Sequence, residues 1–233
     1  MNTDDGSYRR FQAVLFDLDG TLLDTLADIG DSVNRMLAEY NFPGHTMDDY
    51  RRFIGNGVHM LVTRALPLAG RSEEMIRACV HRAREIYWQN WNCKTRPYAG
   101  IVDLLEALEA GQVPKAVLSN KPHDFTVRYV AAYFPGTTFL TVRGQNDHFP
   151  VKPDPASALD IARQIGLSPS SFLFVGDSAV DMQTANAAGM HAVGVGWGFR
   201  GPEELLQNGC RTLVNRPSEI LPLLECCQES NPG

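Results

Sequence analysis

Two aspartates, Asp17 and Asp19, stand at the end of a short apolar run in the segment FDLDGT. Alternate residues of a strand point to the same face, so the two carboxylates should lie one pleat apart. Two like charges that close repel each other unless one is protonated or a cation lies between them. The pair therefore predicts a chemical site at the end of a buried strand.

Further reactive side chains follow later apolar runs. Because ligands of open parallel sheets bind beyond the carboxyl ends of the strands, we expect these groups to converge on Asp17. Carboxylates such as those of Asp17 and Asp177 suit Mg²⁺, and Lys152, a serine hydroxyl and turn amides supply charge and donors for a phosphoryl group. The side chains expected at this edge are Asp17, Asp19, Ser119, Asn120, Lys152, Asp177, Ser178 and Asp181.

The elements that must position these groups can be predicted from periodicity. Short β-rich apolar runs occur at residues 12–17, 115–119, 137–142, 171–176, 191–195 and 211–214. Helix-length segments lie between most of them, at residues 100–111, 123–133, 154–166 and 179–188. This alternation predicts an α/β fold with a doubly wound parallel sheet that is covered by helices on both faces.

The segment between the first two strands, residues 22–96, is far longer than one crossover helix requires. Apolar residues at helical spacing run from Leu26 to Tyr40, and again after a predicted N-cap at Ser72. We therefore expect an all-helical cap domain at residues 22–96, inserted into a core domain of residues 1–21 and 97–233. The two linkers, near Thr21 and Arg96, should act as a hinge above the two aspartates.

The composition indicates a soluble globular protein that acts on a small molecule. The chain has 233 residues, is 44% hydrophobic and carries a net charge of -6, which argues against a nucleic-acid surface. No secretion signal or membrane span is evident, and the odd number of scattered cysteines favours free thiols, so a cytoplasmic location is expected. The expected partner is a small phosphorylated metabolite, and the oligomeric state is left open between monomer and homodimer. The cysteines are Cys79, Cys93, Cys210, Cys226 and Cys227.

Four motifs in order carry a family resemblance: FDLDGTLLDT, SNKP, KPDP and VGDSAVDMQTANAAGM. Together they resemble the haloacid dehalogenase-like superfamily, whose members mostly hydrolyse phosphate esters with Mg²⁺. The resemblance covers almost the whole chain, and it implies the Rossmann-like core and the helical cap of that family.

The resemblance also implies a role for each acidic residue. Asp17 would be the nucleophile that forms an aspartyl phosphate, and Asp19 would be the general acid and base. The Mg²⁺ ion would be held by Asp17, Asp177 and the backbone carbonyl of Asp19. Asp181 would support this metal site or Lys152 from behind.

The remaining core motifs would bind the phosphoryl group. Ser119 and Lys152 would hold its oxygens, with Asn120 alongside. Gly20 would permit the turn that brings backbone amides towards the phosphate.

Substrate selection should come from the cap, because the core motifs recognise only the phosphoryl group. The FIGNGV loop contains Asn56 and Gly57, and Arg52 and Arg64 lie within a turn or two of it. These groups could hold a small carboxylate, although Asn56 and Gly57 could also form an ordinary turn. A short phosphorylated acid is therefore favoured, and the resemblance of FIGNGV, VLSNKP and WGF to one branch of the family makes 2-phosphoglycolate the expected substrate. The alternatives are a phosphosugar mutase, a pyrophosphatase and a non-catalytic sensor of a phosphorylated metabolite.

Overall fold

A six-stranded parallel sheet lies at the centre of the computed structural model, which describes residues 11–224. Its order is β5-β4-β1-β6-β7-β8, and β2 pairs with β3 in a separate antiparallel ribbon. Numbered along the chain, the strands are β1 (Ala13–Phe16), β2 (Leu23–Asp24), β3 (Arg96–Pro97), β4 (Lys115–Pro122), β5 (Thr141–Gln145), β6 (Phe172–Gly176), β7 (His191–Val195) and β8 (Thr212–Val214).

Helices fill the segment between β2 and β3. Two of the four begin at a capping side chain: the Ser72 hydroxyl accepts the backbone N–H of Met75 at the start of the last helix, and Thr46 and Asp49 form a reciprocal capping box at the start of the second. The helical insert is as predicted, whereas the assignment of residues 22–96 as a separate domain stays a prediction. The helices are α1 (Leu26–Glu39), α2 (Met47–Phe53), α3 (Gly57–Ala65) and α4 (Glu73–Asn90).

Both faces of the main sheet are buried. Along β1, Val14 and Phe16 join one apolar cluster while Ala13 and Leu15 join the other, as the period of two requires. The predicted doubly wound α/β core is confirmed. The first cluster is covered by α5 (Ile101–Ala110), α6 (His123–Tyr133) and α10 (Leu221–Leu224), and the second by α7 (Ala156–Ile165), α8 (Ala179–Ala187) and α9 (Pro202–Gln207).

The chain leaves and re-enters the core through the β2–β3 ribbon, in which Leu23 pairs with Pro97. A buried carboxylate at the start of α1 stabilises this crossing. Asp28 accepts the backbone N–H groups of Lys94 and Thr95 at 2.8 to 3.0 Å, and the Thr95 hydroxyl at 2.8 Å. The first helix of the insert is thereby fastened to the segment by which the chain returns.

The strand expected at residues 137–142 was placed wrongly at both ends. Phe139 gave the apolar signal, but it precedes the strand and packs against the core from a loop. Leu140 is 56% exposed. The observed strand, Thr141–Gln145, includes Arg143, which is buried because its guanidinium pairs with Asp160 at 2.7 Å. A charge that is neutralised inside the fold cannot be recognised from hydropathy alone.

No helix within residues 11–224 is long and apolar enough to cross a bilayer. Three of the five cysteines, Cys79, Cys93 and Cys210, are free thiols. Cys226 and Cys227 lie outside the described residues.

Candidate active site

A single cleft receives most of the predicted site residues. It lies beyond the carboxyl ends of β1, β4 and β6, and α1, α3 and α4 contribute its opposite wall. It includes about 840 Å³ of space not occupied by protein atoms, part of which is open solvent. The rule for strand ends thus located these residues, although their chemical roles stay predictions. The predicted residues that line the cleft are Asp17, Asp19, Gly57, Ser119, Asn120, Lys152, Asp177 and Ser178.

Asp17 and Lys152 form a buried ion pair at the base of the cleft. The Asp17 Oδ1 atom lies 2.8 Å from the Lys152 Nζ atom. Burial raises the pKa of Asp17 to about 7, Lys152 opposes this rise, and Asp181 adds to it. Burial alone would lower the pKa of Lys152, but Asp17 and Asp181 hold it above its usual value. The lysine is therefore a permanent positive charge beside the candidate nucleophile.

Asp181 holds Lys152 from behind. Its Oδ1 atom accepts a hydrogen bond from Lys152 Nζ at 2.6 Å. Its Oδ2 atom accepts the backbone N–H of Ser178 at 3.1 Å and the Ser178 hydroxyl at 2.5 Å. The side chain is fully buried in the first turn of α8. These contacts favour the positioning of Lys152, one of the two supporting tasks that the resemblance implied.

Asp177 lies at the end of β6 and is fixed by its neighbours. Its Oδ2 atom accepts the backbone N–H of Phe199 at 2.7 Å, and its Oδ1 atom lies 3.5 Å from the Thr21 hydroxyl. Burial, followed by Asp181, raises its pKa well above the usual value. Gly20, with φ of 86°, lies against this carboxylate: an added Cβ would lie 2.2 Å from Asp177 Oδ2. The backbone turn and the acidic group are therefore fitted to each other.

The buried carboxylates fit a divalent cation. Oxygens of Asp17, Asp177 and Asp181 all lie within 4.8 Å of one another. When these groups are ionised, three negative charges face the single positive charge of Lys152, and the remaining two are balanced by one divalent ion. A set made only of hard oxygen donors is typical of Mg²⁺. The side chain of Asp19 is outside this cluster, which leaves its backbone carbonyl as the predicted contact.

Asp19 belongs to a second polar cluster that joins the core to the insert. Its carboxylate accepts hydrogen bonds from Lys121 Nζ at 3.0 and 3.1 Å and from the Thr25 hydroxyl at 2.7 Å. Lys121 Nζ also donates to the Tyr87 hydroxyl of α4 at 2.8 Å, and it lies 4.7 Å from the ring centre of Tyr129. The insert therefore helps to fix the residue that the resemblance makes the general acid and base.

Lys121 and Tyr87 were not among the predicted site residues. Lys121 stands inside the SNKP motif, and its position directly after Ser119 and Asn120 was an available signal. Tyr87 falls on the apolar period of α4, and its burial bears out that pattern. The hydrogen bond that its hydroxyl accepts, however, comes from Lys121, which is distant in sequence.

Ser119 and Asn120 are consecutive residues of β4 but make different contacts. Ser119 lies in the cleft lining, and its hydroxyl accepts the backbone N–H of Lys121 at 3.3 Å. The Asn120 amide donates to the carbonyl oxygens of Gly55 and Lys152 at 3.0 Å, and its Oδ1 accepts the Lys152 backbone N–H at 2.8 Å. Asn120 thus connects the loop that contains Lys152 to the FIGNGV loop of the insert.

The FIGNGV loop reaches the cleft through its glycines. Gly55 and Gly57 both line the cleft and have positive φ values of 120° and 83°. Arg64 donates to Phe53 O and to Asn56 Oδ1, each at 2.9 Å, so it shapes this loop from within the insert. Neither Arg64 nor Asn56 is among the residues that line the cleft.

Arg52 is not brought to the cleft. Its side chain is 69% exposed and pairs with Asp49 at 2.6 Å in the same helix. Sequence spacing placed Arg52 near the substrate loop, but the capping box at the start of α2 offers it a closer carboxylate. In this structure its direct contact with substrate is disfavoured.

The WGF segment, residues 197–199, closes the core side of the cleft. The Trp197 indole donates to Thr21 O at 3.0 Å, and the Phe199 N–H holds Asp177 as described. Arg200 follows and also lines the cleft. Arg200 was not among the predicted site residues, because a loop residue without periodicity gives no indication of where its side chain lies.

Known proteins are similar to this chain in sequence and in fold. A family model described as haloacid dehalogenase-like hydrolase matches residues 14–195. The chain is 32% identical over 220 residues to phosphoglycolate phosphatase 1 of Pseudomonas aeruginosa, covering 93% of this chain and 80% of that protein. It is 31% identical over 215 residues to phosphoglycolate phosphatase of Pectobacterium atrosepticum, covering 91% and 92% of the two chains.

The solved structures extend the likeness to three dimensions. A crystal structure described as a predicted phosphoglycolate phosphatase from Haemophilus somnus superposes with a TM-score of 0.86 at 29% identity. The match covers 92% of this chain and 98% of that one. The insert and the core are therefore arranged here as in an experimentally determined relative.

Proposed function

Because this chain belongs to the haloacid dehalogenase-like hydrolase family, we propose that it is a Mg²⁺-dependent phosphatase that forms an aspartyl phosphate on Asp17. The proposal rests mainly on the buried Asp17 carboxylate, whose Oδ1 atom lies 2.8 Å from the charged Lys152 Nζ atom. Both residues line the base of the cleft, and the insert forms the opposite wall. Such a group is held in one orientation and shielded from bulk water, as a nucleophile requires.

The residues divide the reaction into two steps. In the first, an Asp17 oxygen forms a bond to phosphorus, the ester oxygen leaves, and Asp19, which enters this step protonated, donates its proton to that oxygen. In the second, Asp19 removes a proton from a water molecule that attacks the phosphorus of the aspartyl phosphate, which restores Asp17 and releases inorganic phosphate. Lys152 and the Ser119 hydroxyl stabilise the negative oxygens of the transferring group.

Asp17 and Asp177, with the Asp19 carbonyl, would hold the metal ion. When bound, Mg²⁺ supplies positive charge to the transferring phosphoryl group. Asp181 keeps Lys152 extended towards the same place through its 2.6 Å hydrogen bond.

We propose 2-phosphoglycolate as the substrate. Two relatives that match over most of the chain are named phosphoglycolate phosphatases, which supports a two-carbon phosphorylated acid. The insert covers the cleft and presents Gly55 and Gly57, whose backbone can approach a small ligand closely. A short substrate matches a site in which the insert already contacts the core through Asn120 and Gly55.

A panel of phosphate esters tests the proposal. Inorganic phosphate release is measured with 2-phosphoglycolate, sugar phosphates, nucleotides and pyrophosphate, with and without Mg²⁺, and glucose 1-phosphate is assayed for mutase activity. We expect the highest kcat/KM for 2-phosphoglycolate, dependence on Mg²⁺, and no turnover by Asp17→Asn. Full activity after exhaustive chelation, or substantial activity of Asp17→Asn, would contradict the mechanism. A tenfold preference for a sugar phosphate or pyrophosphate would overturn only the substrate.

A further inference from the structure

Arg200 has one buried donor without a protein partner. Its Nε atom lies 3.2 Å from the Glu204 carboxylate, and its Nη2 atom donates to the carbonyl oxygens of Arg52 and Ile54 at 3.0 and 2.8 Å. Its Nη1 atom is buried and has no hydrogen-bond acceptor among residues 11–224. A buried N–H group without an acceptor lowers stability, so this atom is suited to a ligand.

The position of this guanidinium relates it to the candidate chemistry. Arg200 lines the same cleft as Asp17 and Ser119. The preceding residue, Phe199, donates its N–H to Asp177 at 2.7 Å, and a Cβ added at Gly55 would lie 3.9 Å from Arg200 Nη2. The arginine therefore lies between the acidic cluster and the substrate-facing loop of the insert.

Arg200 differs from the other cations of the cleft in one buried donor that no described residue satisfies. The ammonium groups of Lys121 and Lys152 bind core aspartates, and Arg84 is half-exposed and pairs with Asp124 at 3.3 Å. Among the cleft cations of the described chain, Arg200 combines a permanent charge with a buried donor that no protein acceptor satisfies.

We propose that Arg200 binds the carboxylate of the substrate through Nη1 and is the residue that selects a phosphorylated acid. This inference rests on the proposed function. It assigns the selecting cation to the core loop after β7, in place of the two arginines of the insert. Because Nη2 of the same planar group is already fixed by two backbone carbonyls of the insert, Nη1 is oriented before the substrate arrives.

Two esters that differ only in the distal group test this assignment. In 2-hydroxyethyl phosphate, a hydroxymethyl group replaces the carboxylate of 2-phosphoglycolate. The ratio of kcat/KM for the two esters is measured in the wild type, Arg200→Gln, Arg200→Lys and a control, Arg163→Gln, whose side chain is 80% exposed on α7. We expect Arg200→Gln to lower the ratio by about 10- to 100-fold, the effect of one charge-assisted hydrogen bond. Arg200→Lys should lower it less, and Arg163→Gln should leave it unchanged.

The ratio separates substrate selection from closure of the insert. If Arg200 only fastens the insert, both esters lose the same factor and the inference is overturned. It is also overturned if Arg52→Gln lowers the ratio while Arg200→Gln does not. Hydrolysis of 2-hydroxyethyl phosphate by each variant shows that the variant is folded.

Failure of the proposed function has a different signature, because the wild type would then hydrolyse neither ester. In that case calorimetry of both esters with wild type and Arg200→Gln decides the inference. Weaker binding of 2-phosphoglycolate alone in the variant supports it, and equal weakening or no weakening overturns it.

Discussion

Replacing Gly20 with alanine should disable the site while leaving the fold in place. A Cβ at this position would lie 2.2 Å from Asp177 Oδ2 and 2.6 Å from its Cγ, so the carboxylate must move by about 1 Å to reach an ordinary contact distance. The alanine must also adopt a φ of 86°, which costs about 1–2 kcal/mol.

Gly166 provides a matched control for this substitution. It has a φ of 80°, and nothing lies within 4 Å of an added Cβ. Gly166→Ala should lose about 2–8 °C in Tm, because about 1 kcal/mol corresponds to about 2–4 °C in a protein of this size. Gly20→Ala should lose at least as much, because Asp177 must also move. The cost of the backbone conformation is thereby separated from the displacement of Asp177.

Only Gly20→Ala should lose activity. A displacement of about 1 Å at a group near the chemistry can cost about 100-fold in rate. We expect kcat/KM for 2-phosphoglycolate to fall by about that factor, with a higher Mg²⁺ concentration required for half-maximal activity. Phosphate release during Mg²⁺ titration and differential scanning fluorimetry measure both effects. If Gly20→Ala remains within about threefold of Gly166→Ala at saturating Mg²⁺, the predicted role of Asp177 is refuted.

Three further outcomes are expected. Asp19→Ala should lower the hydrolysis of an ester with a poor leaving group by about 10²- to 10⁴-fold, and an unchanged rate would remove the assigned role. Tyr87→Phe deletes the hydroxyl that accepts from Lys121, so kcat should fall by about 2- to 13-fold at unchanged Mg²⁺ affinity; a wild-type kcat would show that this contact is dispensable. Mg²⁺ should raise Tm more at pH 8 than at pH 5. Burial raises the pKa of Asp17 to about 7, so the protonated carboxyl group stabilises the metal-free fold at low pH, and this stabilisation is lost as the pH rises towards 7. Above that pH the carboxylate is ionised, and a bound cation stabilises the folded protein more. An equal Mg²⁺ effect at both pH values would contradict this reasoning.

The sequence located the acidic side of the site because strand ends obey a general rule. Asp17 and Asp177 each follow a short apolar run whose length and β-rich composition favour a buried strand, and parallel strands end at one edge. The register of β1 with β6, in which Phe16 pairs with Val175, then brings the two carboxylates together.

The direction in which a side chain points could not be predicted from the sequence. Arg52 and Arg64 were chosen by distance along the chain, yet Arg52 pairs with Asp49 and Arg64 supports the loop from inside the insert. Arg200 and Tyr87 reach the site through contacts between segments distant in sequence. Periodicity describes which face of an element is apolar, but it does not specify the partner that a polar tip will meet.

The central place of β1 also determines when the site can exist. Its first neighbour begins at Lys115, which pairs with Val14, and its second begins at Phe172, which pairs with Ala13. During synthesis, the strand that precedes Asp17 can pair along both edges only after most of the polypeptide has been made. Such long-range pairing slows folding. A nascent or truncated chain therefore contains the first aspartates without the surroundings that make them reactive, and catalytic competence appears only as folding is completed.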